Sequence, residues 1–154
     1  MISEIIIAIS RRLNERYPEA TINTERVEQG LQEPCFFIEV LEPIRTPLIG
    51  QRWQQDTLFD IQLFDSEAEN IQFYTIAEEL FAYLEYITLP DGNMLRGTSM
   101  HFAVNDGVLH FFVTYTVFLY RKKEKERYKE EKSVNTVWEG LRFQTGQKTD
   151  RRSR

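Results

Sequence analysis

The sequence predicts an α+β fold: a single antiparallel or mixed sheet with two helices packed on one face, followed by a charged C-terminal extension. Three observations predict it. Two segments carry apolar residues at three- and four-residue spacing, the period of amphipathic helices. Others alternate apolar with polar residues, as half-buried strands do. The last two alternating segments flank Asp106-Gly107, a two-residue hairpin turn whose register can be checked against itself.

In chain order, Ile2, Ile5, Ile6, Ile9 and Leu13 define the first helix, and Pro18 stops it. Thr21 to Val27 is expected to form a short edge strand. A polar turn at Gly30 and Pro34 then leads into a strand over residues 35–41, whose even positions Phe36, Ile38 and Val40 are all apolar. Pro43, Pro47 and Gly50 mark the Glu42 to Trp53 segment as a long loop and a candidate contact element. In the strand over residues 57–64, Phe59, Ile61 and Leu63 point inward, while Asp60 and Gln62 point to solvent.

The second helix is expected to open on a capping box of Ser66 with Glu69. Phe73, Ala77, Leu80, Leu84 and Ile87 form its stripe, and Leu89-Pro90-Asp91-Gly92 ends it. In the closing hairpin Asn105 faces Val108, Val104 faces Leu109, and Phe102 faces Phe111. Met100, Phe102 and Val104 then share a face with Leu109, Phe111, Val113 and Tyr115, and two independent alternations agree. Val117 and Leu119 extend the last strand. Its other face carries Phe112, Phe118 and Tyr120, too apolar for a solvated surface, so another subunit is expected to cover it.

A chain of 154 residues with 42% apolar and 28% charged residues suits one domain with its own core. We expect that domain over residues 1–121 and a charged arm that contacts partners over residues 122–154. The formal charge of −5 hides an asymmetry. Residues 121–154 hold 12 Lys/Arg against 6 Asp/Glu, leaving 7 against 18 in residues 1–120, so the tail carries +6 and the body −11. Such a split marks an interaction arm. The acids interspersed in Arg121-Lys122-Lys123-Glu124-Lys125-Glu126-Arg127 weaken a nucleic-acid reading. Beyond them Val134, Val137, Trp138 and Leu141 have the spacing of a short docking helix.

The single cysteine, Cys35, has no disulfide partner and reads as a small buried hydrophobe in a reducing compartment. The apolar run Ile5 to Ile9 has no preceding basic residues and is neither a signal peptide nor a membrane span. His101 and His110 lie diagonally on one face of the hairpin, but no third ligand has a place beside them, so no metal is expected. Acid pairs such as Glu78-Glu79, or Asp60 with Asp65, carry no spacing that marks general acid–base work. No nucleophile elbow, zinc helix, phosphate loop or dinucleotide fingerprint is present, so neither enzyme activity nor a cofactor is expected.

Interfaces are the remaining candidates, since Trp and Arg anchor them disproportionately. The residues assigned to contact are Arg52, Trp53, Phe112, Phe118, Arg121, Lys122, Lys123, Trp138 and Leu141.

The segment Val27-Glu28-Gln29-Gly30-Leu31-Gln32-Glu33-Pro34-Cys35-Phe36-Phe37-Ile38, with the opening isoleucine-rich helix, the Phe59-Asp60-Ile61-Gln62-Leu63-Phe64 strand and the closing aromatic strand, resembles the tail terminator proteins. These belong to contractile phage tails and phage tail-like particles of Gram-positive bacteria. The resemblance covers residues 1–121 and implies a structural protein without catalytic residues. It implies a six-membered ring seated on the tail tube that ends polymerisation, caps the sheath and meets the neck or connector. DNA would only pass through the lumen. The implied location is the tail–neck junction, after assembly in the bacterial host cytoplasm. The acidic body suits a bore that repels DNA weakly, and the basic tail is assigned to the sheath. The alternatives are another neck or head-completion protein, a nucleic-acid-binding adaptor, or a small immunity or inhibitor protein.

Overall fold

The computed structural model describes residues 1–27 and 29–121. In chain order its elements are α1 (Ile2–Arg16), β1 (Thr21–Asn23), β2 (Cys35–Pro47), β3 (Arg52–Phe64), α2 (Asn70–Tyr83), β4 (Tyr86–Thr88), β5 (Met94–Asn105) and β6 (Val108–Tyr120). Among the described residues two units divide them: residues 1–46 with 54–119, and residues 47–53 with 120–121.

In the first unit α1 buries Ile5, Ile9 and Leu13 of the stripe its spacing predicts, adds Ala8 to them, and leaves Ile2 and Ile6 half-buried against the core. Fully burying one such isoleucine or leucine contributes roughly 1.5–3 kcal/mol. The strands form one sheet in the order β1-β2-β3-β6-β5-β4. β1 runs parallel to β2, with Ile22 opposite Phe36, whereas β4, β5 and β6 pair antiparallel, so the sheet is mixed. Both helices close over the inward residues Phe36, Ile38, Phe59, Ile61, Phe111, Val113 and Tyr115 in a single core.

Polar contacts fix the helices to each other. The Tyr17 hydroxyl donates to Glu79 at 2.6 Å, and Arg16 reaches the same carboxylate at 2.8 Å. Burial, then the bond and charge of Glu79, push the Tyr17 phenol well above its usual range, so it stays a donor. Arg12 donates to the Tyr83 carbonyl at 2.9 Å, satisfying a group that the end of α2 leaves open.

The hairpin register is as expected from Asn105↔Val108 through Phe102↔Phe111 to His101↔Phe112. Asp106 (φ 53°) and Gly107 (φ 74°) both take the left-handed conformation that such a two-residue turn requires. A bulge between Thr98 and His101 then shifts the pairing by one, bringing Gly97 opposite Tyr115. Gly97 is needed there: a Cβ would lie 2.7 Å from the Val113 side chain and 2.9 Å from the Leu84 carbonyl oxygen.

Several expectations need correction. The edge strand β1 stops at Asn23 rather than reaching Val27. The Glu42 to Trp53 segment is not a long loop: β2 continues to Pro47, β3 starts at Arg52, and only a short turn joins them. Pro43 and Pro47 are tolerated because β1 pairs with only the first three residues of β2, leaving the rest an open edge where a missing N–H breaks no ladder bond. The second helix starts at Asn70, not beside Ser66, because Asp65 and Glu33 hold the N–H groups of Glu67 and Ser66 in a preceding turn. Its capping partner is Gln72, which accepts from the Glu69 N–H at 2.7 Å, so the Ser66–Glu69 box is not formed. It ends at Tyr83, and Ile87 reaches the core from β4 instead. Leu89-Pro90-Asp91-Gly92 therefore turns β4 into β5 rather than ending a helix.

Candidate functional site

Helices cover one face of the sheet, so the opposite face is where the apolar residues of β6 were expected to meet a partner. Leu109, Phe111, Val113, Tyr115 and Val117 are buried on the helix side, which turns His110, Phe112, Thr116 and Phe118 outward. Phe112 is half-buried. His101 stacks on it at 4.7 Å between ring centroids and 17° between planes, and His110 lies parallel to it at 6.3 Å. Phe118 is 58% exposed. The two phenylalanines are six positions apart on one strand, roughly 20 Å, so they mark two places rather than one patch.

Around them the outer face is polar and internally bonded. Asp60 accepts from His110 Nδ1 at 3.0 Å and from Gln62 Nε2 at 3.0 Å, and Gln62 also donates to Glu39 at 2.8 Å. Asp60 and Gln62 are only 5% and 8% exposed, which corrects the expectation that they are solvated. One oxygen of Asp60, Oδ1, is buried and has no hydrogen-bond partner among the described residues. Farther along, Thr116 donates to Asp56, which also accepts from Gln54. The two histidines are thus held by different partners: His110 by Asp60, and His101 by the Ser99 carbonyl at 3.0 Å. Among the described residues no three His, Cys, Asp or Glu side chains converge on a metal position. Cys35 is buried and accepts from Asn23 Nδ2 at 2.9 Å, a packing role.

In the second unit Leu48 donates its N–H to the Arg52 carbonyl across the turn, and the Arg121 N–H donates to the Gln51 carbonyl at 2.7 Å. The Arg121 guanidinium lies over the Trp53 ring at 5.2 Å, a cation–π contact between two of the residues singled out from sequence. Arg52 is exposed beside them, Tyr120 is 77% exposed and Ile49 is 90% exposed. Lys122, Lys123, Trp138 and Leu141, with the docking helix expected around them, lie outside the described residues.

Sequence reasoning missed other exposed apolar side chains. Ile7 on α1, Ile71 and Tyr74 on α2, and Tyr86 and Met94 on the β4–β5 hairpin are all 44–68% exposed. Ile71 and Tyr74 were legible as off-stripe positions of a helix. Tyr86 was not, because that segment read as the end of α2. No helix among the described residues is long and apolar enough to cross a membrane.

These features describe a mixed-sheet scaffold that exposes apolar groups in several separate places. The model of one protein family, described as phage tail terminator protein, matches residues 4–127, and the chain belongs to that family. The family is structural rather than enzymatic, its members act with other tail components, and the protein takes a place in the phage tail. No curated protein matches the chain.

Proposed function

We propose that the protein ends a contractile phage tail, or a phage tail-like particle, by forming a ring, six subunits in number, on the last ring of the tail tube. The ring halts further tube growth, caps the sheath and offers a platform to the neck or connector. The observation that carries this reading is the family match across residues 4–127. The described body supports it with exposed apolar groups in separate places, Phe118 on the outer face and Ile44 on β2 among them. A closed ring requires such a pair of unlike surfaces on each subunit.

The charge split supports two finer assignments. A body of −11 suits the wall of a bore through which DNA slides without being gripped, because tight binding needs Lys and Arg on the phosphates. The arm over residues 122–154, carrying Lys122, Lys123, Trp138 and Leu141, takes the sheath as its partner. Deleting residues 122–154 tests this. The truncated protein is expected to keep the ring's subunit number in native mass spectrometry and to leave tube length normal. Sheaths in electron micrographs should then lose their fixed upper end. Capping unchanged by the deletion refutes the arm assignment, and tubes of normal length without the protein refute the terminator role itself.

A further inference from the structure

The turn between β2 and β3 has a composition that tight turns avoid. Turns stand in water and favour small or polar residues. Here Ile49 occupies the turn and is 90% exposed, more than any other exposed large apolar side chain among the described residues. Arg52, whose carbonyl closes the turn by accepting the Leu48 N–H at 2.9 Å, is exposed as well. The last residue of β6, Tyr120, is 77% exposed. The next one, Arg121, is tied to the turn twice: its N–H donates to the Gln51 carbonyl at 2.7 Å, and its guanidinium lies over the Trp53 ring at 5.2 Å. The chain that continues into Lys122 and Lys123 therefore starts from this turn.

The charge here is of one sign. Residues 47–53 and 120–123 hold Arg52, Arg121, Lys122 and Lys123 and no Asp or Glu, whereas the rest of residues 1–120 hold 6 Lys/Arg against 18 Asp/Glu. Elsewhere the signs mix. Arg11 and Arg12 share the groove beside Tyr86 and Met94 with Glu15, and Arg26 shares the pocket beside Val27 and Phe64 with Glu25. An acidic partner is opposed by the net charge of the body and drawn to the turn, which fixes its orientation. Tyr, Trp and Arg are also the residue types enriched where protein interfaces are anchored. The Arg121–Trp53 contact holds two of them in place before a partner arrives, which lowers the ordering cost of binding.

We propose that the β2–β3 turn and the start of the arm form one docking surface for an acidic protein surface on the sheath. Ile49 enters an apolar hollow of that partner, and Arg52, Arg121, Lys122 and Lys123 face the carboxylates around it. This deepens the assignment of the arm to the sheath and rests on it. A protein suits the surface where DNA does not, because Ile49 and Tyr120 need an apolar counterpart that a phosphate backbone lacks, and the charge of the body opposes a duplex.

Two full-length variants test it: one with Ile49→Asp and Arg52→Glu, the other with Ile49→Val and Arg52→Lys. Both positions are exposed, so thermal unfolding followed by circular dichroism should match wild type for each. In particles assembled with the first variant, electron micrographs are expected to show roughly tenfold or fewer sheaths with a fixed upper end, while tube length and the ring's subunit number stay normal. The second variant, which keeps the apolar side chain and the positive charge, should cap like wild type. Wild-type capping by the first variant refutes the docking surface and leaves the arm to be judged by deletion of residues 122–154. A changed tube length or subunit number in the first variant also refutes it, since the turn would then meet the tube or a second copy. If wild type binds duplex DNA with a steep salt dependence and the first variant does not, phosphates are the partner and the proposal falls. If the deletion keeps sheath ends fixed while the first variant loses them, the arm reading falls and the turn remains the docking surface.

Discussion

Gly97 joins β5 to the end of α2, and Gly97→Ala probes that junction directly. Glycine-to-alanine changes at unstrained, open positions raise stability by about 0.4–1 kcal/mol, because the unfolded chain loses freedom. Here the added methyl meets Val113 Cγ2 at 2.7 Å and the Leu84 carbonyl oxygen at 2.9 Å. Neither can yield cheaply. Val113 is fully buried, and the Leu84 carbonyl accepts the Tyr115 hydroxyl at 2.6 Å while the neighbouring Glu85 carbonyl takes the Gly97 N–H at 2.6 Å. Overpacking of this kind costs about 1–3 kcal/mol, which outweighs the entropic gain and leaves a net loss on the order of 1–2 kcal/mol. For a domain of this size that lowers the melting temperature by roughly 3–10 °C. Thermal and urea unfolding followed by circular dichroism, at one fixed protein concentration, measures it. An unchanged urea slope with a lower midpoint is expected. A melting temperature equal to or above wild type would refute the packing described at this junction.

Two further outcomes follow from the polar contacts of the body. Glu79→Ala removes the acceptor shared by Tyr17 and Arg16 and should cost about 1–3 kcal/mol in urea unfolding, with Tyr17→Phe costing less; equal midpoints for wild type and Glu79→Ala would contradict the tie between α1 and α2. Glu33 accepts the Ser66 N–H at 2.7 Å, and this bond holds its carboxyl below the usual range, so its contribution is present above about pH 4.3 and is lost as pH falls through the lowered folded value. Glu33→Gln should therefore melt below wild type at neutral pH and together with it near the acid end of the stability range; a gap that widens on acidification would reverse the assignment.

What could be read from the chain depended on how local the signal was. The stripe of α1 and the alternation of β6 repeat over several turns or residues, and both were legible, although Ala8 joins the buried stripe unannounced and Ile2 and Ile6 stay at its margin. The Asp106-Gly107 turn carries its own register and placed His101 against Phe112 correctly. The start of α2 was not legible, because Ser66 and Glu69 form a good local capping pattern that loses to Glu33, a residue 33 positions earlier, which takes the Ser66 N–H. β4 failed for a similar reason: three residues are too few for a period, and Ile87 continued the helical one. The prolines of β2 read as loop because their tolerance in a strand depends on the neighbour that β1, so short, does not supply.

The surfaces divide in the same way. The sequence by itself established an acidic body with a basic arm, the candidacy of Trp53 and Arg121, and the outward set of β6, since these follow from charge, from residue type and from a two-residue period. Only the tertiary structure brought Tyr86 and Met94 beside Arg11, and Val27 beside Phe64, because these residues are far apart in sequence and meet through the order of strands. It alone also buried Asp60 and Gln62 on the outer face, where cross-strand hydrogen bonds to His110 and Glu39 replace the water that alternation would have assigned them. Periodicity reports which way a side chain points. What stands in front of it is decided by chain segments that the local pattern does not contain.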